Sequence, residues 1–179
     1  MRYYVNIICF LLLSIFISNL VSGDTVTLND ISIILLCTLI AFLFHWIAFF
    51  PSYIYKTERF FDLVGAITNI TVVSFALYYK LVSMDFEIDL RSIVIHSAVS
   101  IWAIRLGLFL FCRVLIDGKD RRFDEIKISF TKFLFTWTLS AFWVFITTLA
   151  AITSISSNLV VKPDLFLYIG FTLWLFGFT

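Results

Sequence analysis

The sequence predicts an all-α membrane protein, a polytopic helix bundle with five complete spans and a sixth that begins near the C-terminus. Of the 179 residues, 61% are hydrophobic and 14% are charged, whereas a soluble domain usually carries about 25% charged residues. A chain of this size cannot bury so much apolar surface in a soluble core, so a bilayer is the solvent that fits. The net charge of +1 gives no indication of a nucleic-acid partner.

Each predicted span is a run of about 20 mainly apolar residues, the length needed to cross the hydrocarbon core. The six runs are approximately Tyr4–Val21, Ile31–Phe50, Leu63–Leu81, Ser92–Ile116, Phe130–Thr153 and Leu165–Thr179. Short polar connectors separate them, so residues 1–179 are expected to form a single transmembrane domain.

The first run has a second interpretation. Arg2, an apolar stretch and then Val21-Ser22-Gly23 resemble a signal peptide with a small-residue cleavage site. We favour an uncleaved first span, because the apolar stretch is long for a signal peptide and further spans follow.

Helix ends are predicted from residues with known capping preferences. Asn29 or Asp30 is expected to cap the second span, and Pro51 is expected to close it. Gly118 is suited to the exit from the fourth span and Asp164 to the start of the sixth.

The Lys and Arg residues are distributed unevenly between the two sides of the bundle. Arg2, the second connector and the fourth connector together hold nine of the 13. The first, third and fifth connectors hold three, and we count Lys80, at the edge of the third span, with Glu87 in the third connector. The positive-inside rule therefore places the N-terminus in the cytoplasm. The expected location is the endoplasmic reticulum membrane in a eukaryote, or the cytoplasmic membrane in a bacterium.

The thirteenth cation, Arg105, lies inside the fourth span, 12 residues before Asp117. At about 1.5 Å per residue it is roughly 18 Å from the connector, near the middle of a core about 30 Å thick. An arginine at that depth costs about 2.5–3.5 kcal/mol unless a polar interior, water or an anionic partner relieves it. We expect a functional site there; the alternatives are a structural ion pair without a ligand, or snorkelling of the side chain if the span boundary is misplaced. Arg113 shares its helical face, and it either extends a track for an anionic ligand or anchors the helix at the interface.

The tract Asp117–Glu125 follows, with charges of alternating sign. It is not a polybasic lipid-binding patch, and it is not a phosphate-binding P-loop because Gly118-Lys119 is followed by Asp120. Arg121 and Arg122 are suited to binding a phosphate, with nearby aspartates orienting them. The alternative is a solvated loop with internal ion pairs.

The second connector carries a pair of carboxylates on the same side of the membrane. Glu58 and Asp62 are four residues apart, so they can share one helix face. A cavity between the second, third and fourth spans would bring them to the arginines, and the alternative is a pair exposed to water at the interface.

The sequence gives little indication of a metal site or of redox-active cysteines. Cys9, Cys37 and Cys112 form no C-x-x-C pair, and His45 and His96 are predicted at opposite faces of the bilayer. We therefore predict no metal site.

Two stretches resemble a known family. KTERFFDLVG (Lys56–Gly65) and WAIRLGLFLFCRVLIDGKDRRFD (Trp102–Asp124) are similar to segments of DUF1295 proteins, which belong with the steroid 5-alpha-reductase-like membrane enzymes. The resemblance covers about residues 44–179.

The resemblance implies an NADPH-dependent reductase of a carbon–carbon double bond in a lipid, typically an enone in a sterol-like molecule. Glu58 or Tyr53 would donate to the developing enolate oxygen. The cofactor-binding residues implied are Arg105, Arg113, Asp117, Lys119, Asp120, Arg121 and Arg122.

Family members normally continue into an Arg-His-Pro-Asn-Tyr-like motif that this sequence lacks, so we expect a truncated or inactive member as one possibility. A second hypothesis is a non-enzymatic multi-pass protein that retains the N-terminal bundle of the family. A third is a relative of the isoprenylcysteine methyltransferases, which use S-adenosylmethionine, although the Arg105–Asp124 segment favours the reductases. The sequence does not indicate an oligomeric state.

Overall fold

The computed structural model describes residues 2–85 and 89–179, which fold almost entirely into helices. Five helices are long and apolar enough to cross a membrane, and a shorter apolar helix follows them. The helices are α1 (Arg2–Leu20), α2 (Ile33–Ile54), α3 (Phe61–Ser83), α4 (Leu90–Asp117), α5 (Phe130–Ser156) and α6 (Leu165–Phe178). The predicted polytopic helix bundle, with five spans and a sixth helix, is confirmed.

The end of α2 differs from the prediction. The expectation that Pro51 closes this span is wrong, because α2 continues for a further turn to Ile54. Proline removes only the one hydrogen bond that its own N–H would donate. The Pro51 carbonyl still accepts from the N–H of Tyr55 at 3.0 Å, so the ladder extends past it.

The start of α2 also differs. Ser32 is the N-cap, and its hydroxyl oxygen accepts from the N–H of Ile34 at 3.1 Å. Asn29 and Asp30 instead form the tip of a short hairpin between β1 (Thr27–Leu28) and β2 (Ile31–Ser32), so the prediction that one of them caps α2 is wrong. Both have positive φ, 48° and 65°, which matches the left-handed pair that two-residue hairpin turns require.

Two predicted helix ends are confirmed. Gly118 ends α4 in the left-handed conformation, with a φ of 77° that favours glycine. Asp164 caps α6, and its carboxylate accepts from the N–H of Leu167 at 3.0 Å.

The helix α5 is the centre of the bundle, since it packs against each of α1, α2, α3 and α4. The tightest approach is between α3 and α4: a Cβ added to Gly107 would lie 2.3 Å from the Cβ of Ala66. Only glycine allows these two backbones to come so close. The helix α6 packs against α4.

At one end of the bundle a buried ion pair joins α3 to the start of α4. Lys80, which the sequence assigned to a connector, lies in the last turn of α3 and contacts the carboxylate of Asp89 at 3.6 Å. Lys80 also donates to the carbonyls of Ser157 and Leu159. Asp89 caps α4 by accepting from Ser92. We call Lys80 and Asp89 the buried pair. Glu87, which the sequence analysis placed in the same connector, lies outside the described residues.

Candidate functional site

The candidate site lies at the opposite end of the bundle, where the α2–α3 and α4–α5 connectors meet; we call this the charged end. Phe123, in the 3-10 turn Arg121–Phe123, anchors the α4–α5 connector in the core and is 5% exposed. Its ring contacts Phe61 of α3 at 5.0 Å and Phe133 of α5 at 6.2 Å between centroids. Burial of this aromatic ring fixes the polar residues around it.

Glu58 joins the two connectors. Its Oε1 accepts from the backbone N–H of Asp120 at 3.1 Å, and its Oε2 accepts from Lys127 Nζ at 2.7 Å. Glu58 is 4% exposed, so its charge is compensated by bonds to both oxygens rather than by water. Glu58 thus meets the arginine tract, but through a contact between connectors, which we call the clasp. The predicted cavity between the second, third and fourth spans is not what joins them, because the cavities that Asp62 lines contain no residue of α2.

A cavity of about 520 Å³ opens between the end of α4 and the 3-10 turn. Four of its seven lining residues are cations, and we call it the cationic cavity. Its lining consists of Arg113, Val114, Asp117, Lys119, Asp120, Arg121 and Arg122. Six of the seven predicted cofactor-binding residues are therefore brought together, and Arg105 is not among them.

Two of the cations are paired within the connector. Asp120 accepts from Arg122 Nε at 3.0 Å through both of its oxygens, and Lys119 donates to Asp124 at 2.7 Å. The hydrogen bond from Arg122 holds the pKa of Asp120 below its ordinary value, against the opposing effect of burial. The hydrogen bond from Lys119 likewise lowers the pKa of Asp124. These carboxylates are ionised throughout the physiological range.

Arg113 and Arg121 are different. In the part of the chain that the structure describes, neither guanidinium forms an ion pair or a side-chain hydrogen bond. Arg113 and Arg121 are both exposed and line one cavity. Guanidinium groups without a carboxylate partner are chemically suited to binding a phosphate in bidentate fashion.

Arg105 lies in a separate cavity of about 710 Å³ between α4 and α6. Its guanidinium donates to the Phe178 carbonyl and lies 4.5 Å from the centroid of the Phe178 ring. The relief that the sequence analysis required for this intramembrane charge is thus supplied by a carbonyl and an aromatic face.

Tyr53 lies near the end of α2 in an aromatic group away from the cationic cavity. Its ring stacks on Phe49 at 5.7 Å and meets Phe130 edge-on at 5.1 Å, and Lys56 Nζ lies 3.4 Å from its centroid. Among the described residues, Tyr53 makes no contact with the arginines of the cationic cavity, so its role as a proton donor stays a prediction.

A second set of cavities extends from the charged end into the bundle. The outer cavity, of about 410 Å³, is lined by Phe61, Asp62, Arg122, Phe123, Ile126, Thr136, Leu139, Ser140 and Trp143. The inner cavity, of about 140 Å³, lies among α3, α4 and α5. The two share Phe61, Asp62, Ser140 and Trp143. Arg122 lines both the outer and the cationic cavity, so these two spaces are adjacent.

Sequence reasoning missed the polar residues deep in these cavities. These residues are Asn69 and Ser140, and neither was among the predicted site residues. Asn69 is 7% exposed and lines the inner cavity, and Ser140 bonds to His45 at 3.1 Å. Their convergence depends on the rotation of three helices about their axes, which no local pattern encodes.

The two histidines lie apart, as expected. His45 contacts Ser140, whereas His96 shares a hydrogen bond of 2.9 Å with Ser74. Within residues 2–85 and 89–179, no group of three His, Cys, Asp or Glu side chains is placed to hold a metal ion.

The fold and the site thus define a polytopic helical membrane protein with a cation-lined cavity at one end of its bundle. Residues 48–179 match the family described as Protein of unknown function (DUF1295), and the chain belongs to that family. No curated protein and no solved structure shows significant similarity to the chain. The match agrees with the predicted extent of about 44–179.

Proposed function

We propose that this protein is an NADPH-dependent reductase of a carbon–carbon double bond in a lipid or sterol-like enone. The proposal also places the charged end, with the N-terminus, in the cytoplasm, because most of the Lys and Arg residues flank that end. A soluble dinucleotide would then reach the site from the cytoplasm, and the lipid would reach it from the bilayer.

One observation carries the proposal: Arg122 lines both the cationic cavity and the outer cavity. An anion-binding surface open to water therefore adjoins an aromatic cavity that continues between apolar helices. A reaction between a phosphate-bearing cofactor and a membrane-dissolved substrate requires these two compartments to meet.

The residues present fit the phosphates of NADPH. Arg113 and Arg121 are unpaired within the described chain and face a cavity of about 520 Å³, which is in the usual range for ligand pockets. The extra phosphate of NADPH relative to NADH would find a second guanidinium. Asp120 keeps Arg122 oriented, and Asp117 is placed in the same lining.

NADPH, when bound, supplies a hydride to the β-carbon of the enone. The chain must stabilise the negative charge that develops on the enone oxygen and supply a proton. Tyr53 carries a phenolic proton, whereas Glu58 would have to lose its contact with Lys127 and take up a proton before it could donate one. Asp62 is the carboxyl group that lines both the outer and the inner cavity, so it is a further candidate for this role.

One observation favours the alternative, a non-enzymatic membrane protein that keeps the bundle of the family. Glu58 is buried and accepts hydrogen bonds at both oxygens, an arrangement that stabilises the connectors without any ligand. In that case the connector that lines the cationic cavity would be a solvated loop that binds no ligand.

The test is NADPH binding to the purified chain in nanodiscs, followed by nicotinamide fluorescence with NADH as the control ligand. We expect saturable binding that prefers NADPH. Arg121→Gln removes one unpaired guanidinium and should weaken binding roughly ten-fold or more, since a charged hydrogen bond contributes about 1.5–3 kcal/mol. Arg59→Gln is the matched control, because Arg59 is an exposed cation in the other connector at the charged end and does not line the cavity.

Absence of NADPH binding by a folded, monodisperse sample would contradict the proposal and favour the non-enzymatic alternative. If binding is found, consumption of NADPH in the presence of enone lipids tests the reductase activity itself.

A further inference from the structure

The amide of Asn69, on α3, makes one of the four hydrogen bonds that an amide group can make. Its Nδ2 donates to the Gly65 carbonyl at 2.8 Å. Its Oδ1 is buried and has no partner among the described residues. Burying an acceptor without a partner is unfavourable, and such groups in native proteins usually have a reason.

The orientation of this amide follows from its neighbour. A carbonyl oxygen only accepts, so the atom that faces Gly65 must be the nitrogen. The unpartnered atom of Asn69 is therefore an acceptor, and Asn69 is one of the residues that line the inner cavity.

Two further polar groups of the inner cavity carry acceptor oxygens. Asp62 accepts in its ionised form. His45 Nδ1 lies 2.8 Å from the Ala41 carbonyl and must donate to it, so in the neutral ring Nε2 accepts the hydroxyl proton of Ser140. Ser140 thus shows only lone pairs to the cavity.

The indole N–H groups of Trp102 and Trp143 belong to donor residues of the same lining. The buried acceptor of this lining that has no partner among the described residues is Asn69 Oδ1, so a ligand that satisfies it must bring a hydrogen-bond donor.

The rest of the lining is apolar and aromatic. Trp102, Trp143 and Leu110 surround the polar groups, and the inner cavity widens into the outer cavity of about 410 Å³. Pockets of about 300–1,000 Å³ accommodate small organic ligands. The space suits an elongated apolar molecule with a single polar end.

We propose that the inner cavity binds the hydroxyl end of a lipid alcohol, with the hydroxyl donating to Asn69 Oδ1. This inference deepens the proposed function and rests on it only in identifying the alcohol as the substrate. A ketone or ether end has no proton to donate and would leave the acceptors unsatisfied. Any enone in the substrate must then lie away from this end, closer to the cationic cavity.

Binding is tested without NADPH, using tryptophan fluorescence in nanodiscs. The probes are a long-chain primary alcohol brominated near its hydroxyl end and the corresponding methyl ether. Bromine quenches tryptophan at short range, and Trp102 and Trp143 line the inner cavity. We expect saturable quenching by the alcohol and binding about ten-fold weaker for the ether, which lacks the donor.

Two variants and one control sharpen the test. Asn69→Leu removes the acceptor at similar volume and should abolish the preference for the alcohol. Gly65→Val fills the cavity where an added Cβ meets nothing within 4 Å, and should weaken both probes. Thr71→Val is the control, because Thr71 is on the same helix but its hydroxyl bonds to the Ile67 carbonyl on an exposed face.

The inference is overturned if the alcohol and the ether quench equally, as they would for a cavity that holds only water, or if Asn69→Leu keeps the preference. Should Asn69→Leu fail to fold, wild-type affinity in Gly65→Val would also overturn it. The alcohol is tested without NADPH, so the two proposals can fail separately. Alcohol binding without NADPH binding would contradict only the reductase proposal. NADPH binding without alcohol preference would sink only this inference.

Discussion

The two ends of the bundle use charge in opposite ways. Lys80 and Asp89 are each 1% exposed in their side chains, and every donor and acceptor contact that they make is internal. At the charged end, Arg122 is 69% exposed although it is paired, and Arg113 and Arg121 face an open cavity. The charges of the buried pair are satisfied within the protein and stabilise the fold. The arginines of the charged end remain accessible to a ligand.

This difference shows that a count of charged residues does not distinguish structural cations from exposed ones in a membrane protein. In sequence, Lys80 and the arginines near Asp120 all read as connector cations. Their environments differ, because the charges of a desolvated ion pair must be fully compensated within the protein. An exposed cation keeps its hydration and can exchange water for an anion.

The largest expected effect is at the buried pair. Lys80→Met leaves the Asp89 carboxylate buried without its cation, which should cost about 3–5 kcal/mol of unfolding free energy. Denaturant unfolding in detergent measures this, with Lys162→Met as a control at an exposed lysine. Adding Asp89→Asn should recover much of the loss, since asparagine keeps a capping oxygen for α4. If Lys80→Met is as stable as Lys162→Met, the buried pair is not structural.

An intermediate effect is expected at the close approach of α3 and α4, between the two ends of the bundle. Gly107→Ala places a Cβ 2.3 Å from that of Ala66, so the helices must separate, at about 1–3 kcal/mol. Gly65→Ala is the control, because its added Cβ meets nothing within 4 Å. Thermal unfolding measures both variants. The double variant Ala66→Gly, Gly107→Ala should recover part of the stability, and no recovery would argue against this contact as the cause.

A smaller effect is expected at the clasp of the charged end. Glu58→Gln loses the charge that compensates Lys127, which is 19% exposed and so partly hydrated; we expect about 1–2 kcal/mol. Because the contact is local, hydrogen exchange in the α4–α5 connector should accelerate more than exchange in α5. Glu125→Gln, at an exposed carboxylate, is the control. Unchanged exchange in Glu58→Gln would mean that Phe123 alone holds the connector.

The smallest effect is the pH dependence of the Arg122–Asp120 pair. The folded pKa of Asp120 lies below its ordinary value of 3.8, so the pair stabilises the protein above that pH and the contribution is lost as pH falls through the folded pKa. An exposed pair contributes about 0.2–1 kcal/mol. The difference in Tm between acidic and neutral pH should therefore be slightly smaller in Asp120→Asn than in the wild type or in Asp117→Asn. A larger pH dependence in Asp120→Asn would contradict the assignment.

Features set by local chemistry were predictable from the sequence. The spans follow from apolar length, and Gly118 and Asp164 end and begin helices by their own backbone and side-chain preferences. Pro51 was mispredicted because the helix lost a single hydrogen bond while its neighbours kept theirs.

Features that need several helices were not predictable. The inner cavity requires Asp62, Asn69 and Ser140 to face one another from α3 and α5, and only packing fixes those rotations. The partner of Arg105 comes from Phe178, which is distant in sequence. The gathering of the arginine tract around one cavity was predictable because its members are consecutive.

The central position of α5 has a consequence for biogenesis. During synthesis the first four spans leave the ribosome before the helix that they all pack against exists. In that interval Asn69 lacks the wall that Ser140 completes, and its polar face must be sheltered by the insertion machinery or by lipid headgroups. A nascent chain that stalls before Phe130 therefore exposes the faces of α1 to α4 that α5 covers in the complete bundle.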